Sequence, residues 1–162
     1  MTFDLVIDEN EISKLIKNVE ISKEGLESAL ELALDDWADY VFARSQDLCP
    51  SGAFNMLRTS ADIYREKLTR IVYYRAEYSP YVEFGTQPHF PPVRALIPWT
   101  KRVLKAADPE DAAWRVAYKI SMEGTEPHPF LRPAFDEAKG KIFGWIKKHI
   151  EKEKEVEVPL EE

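Results

Sequence analysis

GTQPHF, from Gly85 to Phe90, recurs downstream as GTEPHPF, from Gly124 to Phe130, and this repeat decides the fold that we expect. Glycine tolerates positive φ angles, threonine hydrogen-bonds to nearby backbone, and proline sets the direction in which the chain leaves a turn. We interpret the repeat as two similar turns that lie side by side and bracket a helical insert at about residues 88–123. A ligand site shared by the two turns is the alternative.

One long helix precedes the first turn. Between residues 26 and 48, apolar side chains recur three, four or seven positions apart, as in an amphipathic helix of about 25 residues. Ser22 lies where an N-cap is expected, and Pro50 ends the pattern. Further upstream, residues 9–19 favour a short helix and residues 2–7 favour a short strand.

Residues 62–76 change to a strand pattern. Aromatic and β-branched side chains lie among charged ones, which favours two strands joined by a turn near Glu66–Lys67. Residues 81–84 indicate a third short strand that ends at Gly85. The predicted sheet is therefore small and antiparallel.

The remainder of the chain is predicted to be helical. Residues 92–107 favour a helix that is kinked or divided at Pro98. Asp108 as N-cap and Pro109 at the first helical position begin the second helix of the insert. Pro133 opens the last helix.

These patterns predict an α+β fold, in which a small antiparallel sheet is packed by the long N-terminal helix and a C-terminal helix, with a two-helix insert. One domain covers residues 1–150, and residues 151–162 form a charged, flexible tail. The 162 residues include a single cysteine, no apolar run of membrane-spanning length and no secretory leader pattern. We therefore expect no disulfide framework, no membrane partner and a cytoplasmic location.

Charge is distributed unevenly along a chain whose net charge is −7. Residues 1–48 contain 12 acids and 4 bases, whereas residues 49–107 contain 4 acids and 9 bases. Two segments of opposite charge can orient identical subunits against each other, although solvated helix faces of different charge explain the pattern equally well.

Nucleic-acid binding has one candidate surface. Four basic residues share one arc of the first insert helix: Arg94, Lys101, Arg102 and Lys105. The arc has no interleaved aromatic residues, and the overall acidity of the chain repels phosphate. Specific recognition of nucleic acid is therefore not expected, although DNA can pass nearby.

Few residues suit catalysis or metal binding. His89 and His128 occupy the same place in the two turns, but zinc prefers three or four ligands. Cys49 would become a nucleophile only beside a histidine, and an inert buried thiol is the commoner case. We interpret Asp35–Asp36 as a solvated pair and His149 as half-exposed. The sequence has no P-loop, HExxH or nucleophile-elbow pattern, and no metal or cofactor is expected.

YVEFGT, from Tyr81 to Thr86, is followed downstream by HPFLRPAF, from His128 to Phe135. In these motifs and their spacing the chain resembles the gene-product-ten-like tail-component family of lambda-like siphophages, also described as neck or tail-completion proteins. The family order is a long N-terminal helix, a turn with Pro and Gly, a strand pair, the EFGT segment and PFLRPA at the start of a C-terminal helix. The corresponding parts here are Leu26–Leu48, Pro50–Leu57, Ile63–Arg75, Tyr81–Thr86 and Pro129–Ala134.

The resemblance extends from about residue 8 to about residue 150, and PHFPPV at residues 88–93 is similar to the start of a helical insert in many members. It implies a structural, non-enzymatic protein of a phage or provirus, acting at the head–tail junction or in tail completion. The implied partners are further copies in a homo-oligomeric ring and neighbouring connector or tail-tube proteins, with no small-molecule substrate. The protein would pass from the host cytoplasm into the virion. The motif residues implied as assembly contacts are Tyr81, Val82, Glu83, Phe84, Gly85, Thr86, Gly124, Thr125, Pro129, Phe130, Leu131, Arg132 and Pro133.

Local packing gives the same motifs a second interpretation. If they pack together, Arg132 bonds a carboxylate such as Glu83, and Phe84 shares an apolar patch with Phe130. The rival functions are a small hydrolase or nuclease that uses Cys49 or the two turn histidines, and a DNA-binding accessory protein.

Overall fold

The computed structural model describes residues 9–17, 21–50, 52 and 55–157 of the chain. Within these residues the protein forms eight helices and one two-stranded antiparallel sheet, so its fold is α+β, as predicted. The elements are α1 (Glu9–Ile16), α2 (Lys23–Leu48), α3 (Met56–Thr59), β1 (Ala61–Glu66), β2 (Thr69–Tyr74), α4 (Ser79–Phe84), α5 (Val93–Arg102), α6 (Pro109–Glu123), α7 (Leu131–Lys139) and α8 (Ile142–Glu157). The strand predicted at residues 2–7 lies outside the described residues.

The described residues divide into two compact units that the chain enters more than once. Unit 1 comprises the described parts of Met1–Arg44, Ile63–Tyr73 and Arg132–Glu162. Unit 2 comprises the described parts of Ser45–Asp62 and Tyr74–Leu131.

The core of unit 1 lies among α2, α7 and α8. Its buried apolar residues are Ala29, Ala33, Trp37, Ala38, Val41, Ala134, Phe135, Ala138, Ile142, Ile146 and Ile150. The indole of Trp37 meets the ring of Phe135 edge to face, with ring centroids 5.7 Å apart. The leucines that predicted α2 are only half-buried at Leu30 and Leu34, since the alanines between them face the core and let the helices approach closely.

Ion pairs join α2 to the sheet and to α8 within unit 1. Arg70, whose side chain is buried, donates to Asp35 at 2.6 Å and holds the pKa of that carboxyl below its ordinary value. His149 Nε2 lies 2.9 Å from Asp36 Oδ2, which Lys148 also contacts. Asp35 and Asp36 are half-exposed and also ion-paired, whereas the prediction that His149 is half-exposed was wrong, because this residue is buried.

The core of unit 2 combines apolar and polar side chains. Phe130, Leu131, Leu57, Ala113 and Ala117 are buried. The N-cap prediction is confirmed: Asp108 Oδ1 accepts the backbone N–H groups of Glu110 and Asp111, each at 3.0 Å.

No described helix of the protein is both long and apolar enough to cross a membrane.

Two predictions about the secondary structure at and after the motifs were wrong. The segment from Ser79 to Phe84 is the helix α4 rather than a strand, because Pro80 lies in its first turn, where proline favours a helix. The predicted last helix is two helices, α7 and α8, separated at Gly140 and Lys141. Glycine has a low helix propensity and commonly follows a helix end, so Gly140 explains the break.

Three boundaries also differ from the predictions. The first insert helix, α5, runs through Pro98 as one helix and ends at Arg102, before the positive φ of Lys105. The first described helix, α1, ends at Ile16 rather than at residue 19. The chain predicted as a flexible tail is helical up to Glu157, and residues 158–162 lie outside the described residues.

Candidate functional site

The two glycine–threonine turns pair with each other in unit 2. The Thr86 N–H donates to the Thr125 carbonyl at 3.1 Å, and the Thr125 N–H donates to the Thr86 carbonyl at 3.2 Å, which forms an isolated antiparallel bridge. The two hydroxyl oxygens also lie 3.0 Å apart. The prediction that the turns lie side by side and bracket a two-helix insert is therefore confirmed.

The glycines of the turns cannot be exchanged for other residues without strain. Gly85 has φ 71° and ψ −175°, and Gly124 has φ 77° and ψ −155°, a region that only glycine occupies readily. A Cβ atom at Gly85 would overlap the Thr125 carbonyl oxygen, and one at Gly124 would overlap the Thr86 carbonyl oxygen. Each glycine thus makes room for the opposite strand of the bridge.

The equivalence of the turns extends to their histidines. His89 Nδ1 lies 3.0 Å from the Gln87 carbonyl oxygen, and His128 Nδ1 lies 3.0 Å from the Glu126 carbonyl oxygen. The backbone N–H of His128 also donates to the Val82 carbonyl at 2.8 Å. Both imidazoles are exposed, and each contacts a backbone carbonyl oxygen two residues earlier in its own turn.

Glu83 fastens the EFGT segment to the second motif. Its carboxylate is 1% exposed, and Oε2 accepts the backbone N–H groups of Phe130 at 2.8 Å and Leu131 at 3.0 Å, at the start of α7. The motifs pack together as predicted, and the partners shown for Glu83 are these backbone N–H groups; the Arg132 side chain lies 4.0 Å from Asp136 on its own helix.

The predicted apolar patch between Phe84 and Phe130 was also wrong. Phe84 is 53% exposed, whereas Phe130 is fully buried and meets Tyr74 edge to face at 4.8 Å. Burial raises the pKa of Tyr74 to about 12, and its hydroxyl lies 2.8 Å from Ser45 Oγ. Glu83 is buried and its neighbour Phe84 is exposed, a difference that a helix and a strand both allow. Tyr81 is exposed together with Phe84, three residues later, and residues three apart share a face in a helix but not in a strand.

An open apolar cleft of about 1010 Å³ lies beside the paired turns. Its walls come from α4, the turns, α5 and α6. Its lining includes the side chains of Tyr78, Tyr81, Leu96, Trp99, Ile120 and Glu126. His89 and His128 both contribute to the lining, but aromatic and aliphatic groups dominate it. Such a surface binds apolar side chains more readily than a charged ligand.

A second exposed apolar surface runs along α6 and was missed by sequence reasoning. We call it the α6 stripe, and its residues are Phe90, Trp114, Tyr118 and Met122, each more than half exposed. The last three recur every four residues, so they share one side of the helix. The rings of Phe90 and Trp114 lie 6.0 Å apart and continue the surface. The signal was present in the sequence, because the small residues Ala113 and Ala117 recur four positions apart and form the buried side of this helix.

The four bases predicted to share one arc of the first insert helix are exposed, but Lys105 was placed wrongly, because α5 ends at Arg102. Arg94, Lys101, Arg102 and Lys105 all lie at the surface of unit 2. Within the described residues, Arg94, Lys101 and Lys105 make no ion pair. Two other bases of the middle segment, Arg65 and Arg70, are instead paired with aspartates of α2. These ion pairs neutralise part of the positive charge of the middle segment, whereas the basic arc stays exposed.

Two features of the described residues bear on metal binding and nucleophilic chemistry. Among the residues that the structure describes, no three His, Cys, Asp or Glu side chains are placed to share a metal ion. Cys49 is buried, and burial raises the pKa of its thiol above the ordinary value. A thiol in this state is protonated near neutral pH and is a poor nucleophile.

Cys49 is therefore expected to resist alkylation in the folded protein. Iodoacetamide at about pH 8 should label less than a tenth of the thiol in the time that labels the urea-unfolded chain completely, as read from intact mass. A Tyr81→Cys variant, whose new thiol is exposed, serves as the reactive control. Fast labelling of Cys49 in the folded protein would favour the hydrolase alternative.

Comparisons with protein-family models, with curated proteins and with solved structures find no match to this chain.

Proposed function

We propose that this protein is a structural, non-enzymatic subunit of a phage or provirus particle, which acts at the head–tail junction or in tail completion and forms a ring with copies of itself. The observation that carries the proposal is the α6 stripe: four large apolar residues, each more than half exposed, of which three share one face of α6 and Phe90 lies beside them. Contiguous exposed apolar surface of this kind is typical of a protein–protein interface.

The bridge between the turns supports an assembly function. The insert helices α5 and α6 leave and return through two turns that are hydrogen-bonded to each other in both directions. A subunit that must repeat around a closed ring needs its contact surfaces held at a constant angle, because small angular errors accumulate around the ring. The paired turns supply such a rigid base for the insert.

Experiments on assembled tailed particles test the proposal directly. Tailed particles released by cells that carry the gene should contain the chain at several copies per particle by quantitative mass spectrometry. Antibody-linked gold should label the junction of head and tail, and deletion of the gene should leave heads and tails unjoined or tails incomplete. Normal, infectious particles without the gene product would contradict the proposal.

Charge reversal of the basic arc is expected to weaken self-assembly. Changing Arg94, Lys101 and Lys105 together to glutamate should raise the dissociation constant of the oligomer about tenfold or more at low salt, and less at 0.5 M salt, since salt screens surface charges. Sedimentation at both salt concentrations measures the effect.

The matched control changes Lys139, Lys147 and Lys152 to glutamate, which alters the net charge equally on exposed helical positions of unit 1. It should leave assembly nearly unchanged. If the arc variant and the original chain assembled equally at both salt concentrations, the charges of the basic arc would not contribute to self-assembly, and the prediction would be wrong.

A further inference from the structure

We infer that copies of this chain associate head to tail, with the α6 stripe of one copy packed into the cleft of the next. This inference rests on the proposed function, and it names the surfaces that form the ring contact. Both surfaces belong to unit 2, so the argument needs only the geometry of that unit.

The α6 stripe is large enough to form the centre of such a contact. An aromatic side chain buries roughly 150–250 Å² when it is covered, so four side chains that are more than half exposed present roughly 400–500 Å². A stable interface buries about 800 Å² on each partner and has an apolar centre inside a polar rim. Trp114 and Tyr118 are also the residue types that contribute most to binding at interfaces.

The cleft has the chemistry of a receptor for these side chains. Its volume of about 1010 Å³ accommodates several large side chains, and its walls are mainly apolar and aromatic, with Tyr81 and Trp99 among them. The bases that flank the α6 stripe, Arg115 and Lys119, are paired with Asp111 and Glu123 of the same helix, so charge does not distinguish this surface. The complementarity of the two surfaces is therefore apolar.

The two surfaces lie on opposite sides of one helix. Ile120 of α6 lines the cleft, while Tyr118 and Met122, each two positions away along the helix, belong to the α6 stripe. Two positions correspond to a rotation of about 200° around an α-helix. The stripe of one copy therefore cannot enter its own cleft and meets the cleft of another copy. Contact between two different surfaces repeats from copy to copy and closes into a ring when the rotation allows.

Cysteine cross-linking between two variants tests this contact. A Tyr118→Cys chain mixed with a Tyr81→Cys chain should give a mixed disulfide under mild oxidation, mapped by mass spectrometry, at least tenfold more abundant than either self-linked product. Cys49 is retained because it is buried. A Lys147→Cys chain mixed with the Tyr81→Cys chain is the control for random collision.

Truncation of the stripe supplies an independent readout. Tyr118→Ala should weaken self-association by about tenfold or more in sedimentation experiments, whereas Tyr64→Ala, which removes an exposed tyrosine from β1, should change it less than twofold. Circular dichroism confirms that each variant is folded.

The outcomes separate this inference from the proposed function. Dominant Tyr118→Cys self-linkage would show stripe-on-stripe dimers and overturn the head-to-tail contact, as would a chain that remains monomeric and gives no cross-link at the highest concentration measured. Neither result alters the particle experiments, which decide the virion function separately.

Discussion

Replacing Gly124 with alanine is expected to lower the free energy of unfolding by about 3–5 kcal/mol. Two costs combine: a φ of 77° with an extended ψ strains any L-residue by roughly 1–3 kcal/mol, and the new Cβ overlaps the Thr86 carbonyl oxygen. The overlap involves backbone rather than a flexible side chain, so the bridge between the turns must open to relieve it. Urea unfolding followed by tryptophan fluorescence measures the loss.

The matched control is Gly144→Ala in α8. A Cβ there meets no atom within 4 Å, and alanine is a better helix former than glycine, so this variant should be unchanged or more stable by up to about 1 kcal/mol. If Gly124→Ala were as stable as Gly144→Ala, the turns would not be paired as described.

Glu83→Ala is expected to cost about 3 kcal/mol. The substitution leaves the buried N–H groups of Phe130 and Leu131 without their carboxylate acceptor, and each unsatisfied buried donor costs roughly 1–3 kcal/mol. Thermal unfolding compared across variants gives the measurement.

Glu83→Gln provides the informative comparison, because its amide oxygen can still accept one or both hydrogen bonds. It should lose about half as much stability as Glu83→Ala. Glu126→Ala, at an exposed glutamate of the neighbouring turn, should change the stability by less than about 0.5 kcal/mol. Equal stability of Glu83→Ala and Glu126→Ala would contradict the buried role of Glu83.

Much of the fold could be predicted because the deciding signals are local. The strand pair, whose turn was expected near Glu66–Lys67 and lies at Lys67–Leu68, the N-cap at Asp108 and the pairing of the two Gly-Thr turns follow from residue types whose backbone preferences are strong. The error at α4 has a physical reason. Six residues rich in aromatic and β-branched side chains fit a strand or a buried helix equally well, and Pro80 was the one local sign of a helix start.

The candidate site was less predictable than the fold. The motif residues around Glu83 were identified, but its bonds to the backbone N–H groups of Phe130 and Leu131 were not, because a backbone N–H group leaves no mark on a sequence. The α6 stripe and the cleft depend on which residues remain exposed after the insert folds. Ala113 and Ala117 fill the buried side of α6, and this leaves Trp114 and Tyr118 outside, against the usual expectation that large apolar residues are buried.

Hydrogen bonding between Thr86 and Thr125 tests the central claim most directly. In NMR spectra of the isotope-labelled protein, scalar couplings through the hydrogen bonds should connect each of these amide nitrogens to the other residue's carbonyl carbon. Both amide protons should also exchange with solvent at least about 100-fold more slowly than in an unstructured peptide. Absent couplings together with unprotected exchange at both threonines would show that the turns do not pair.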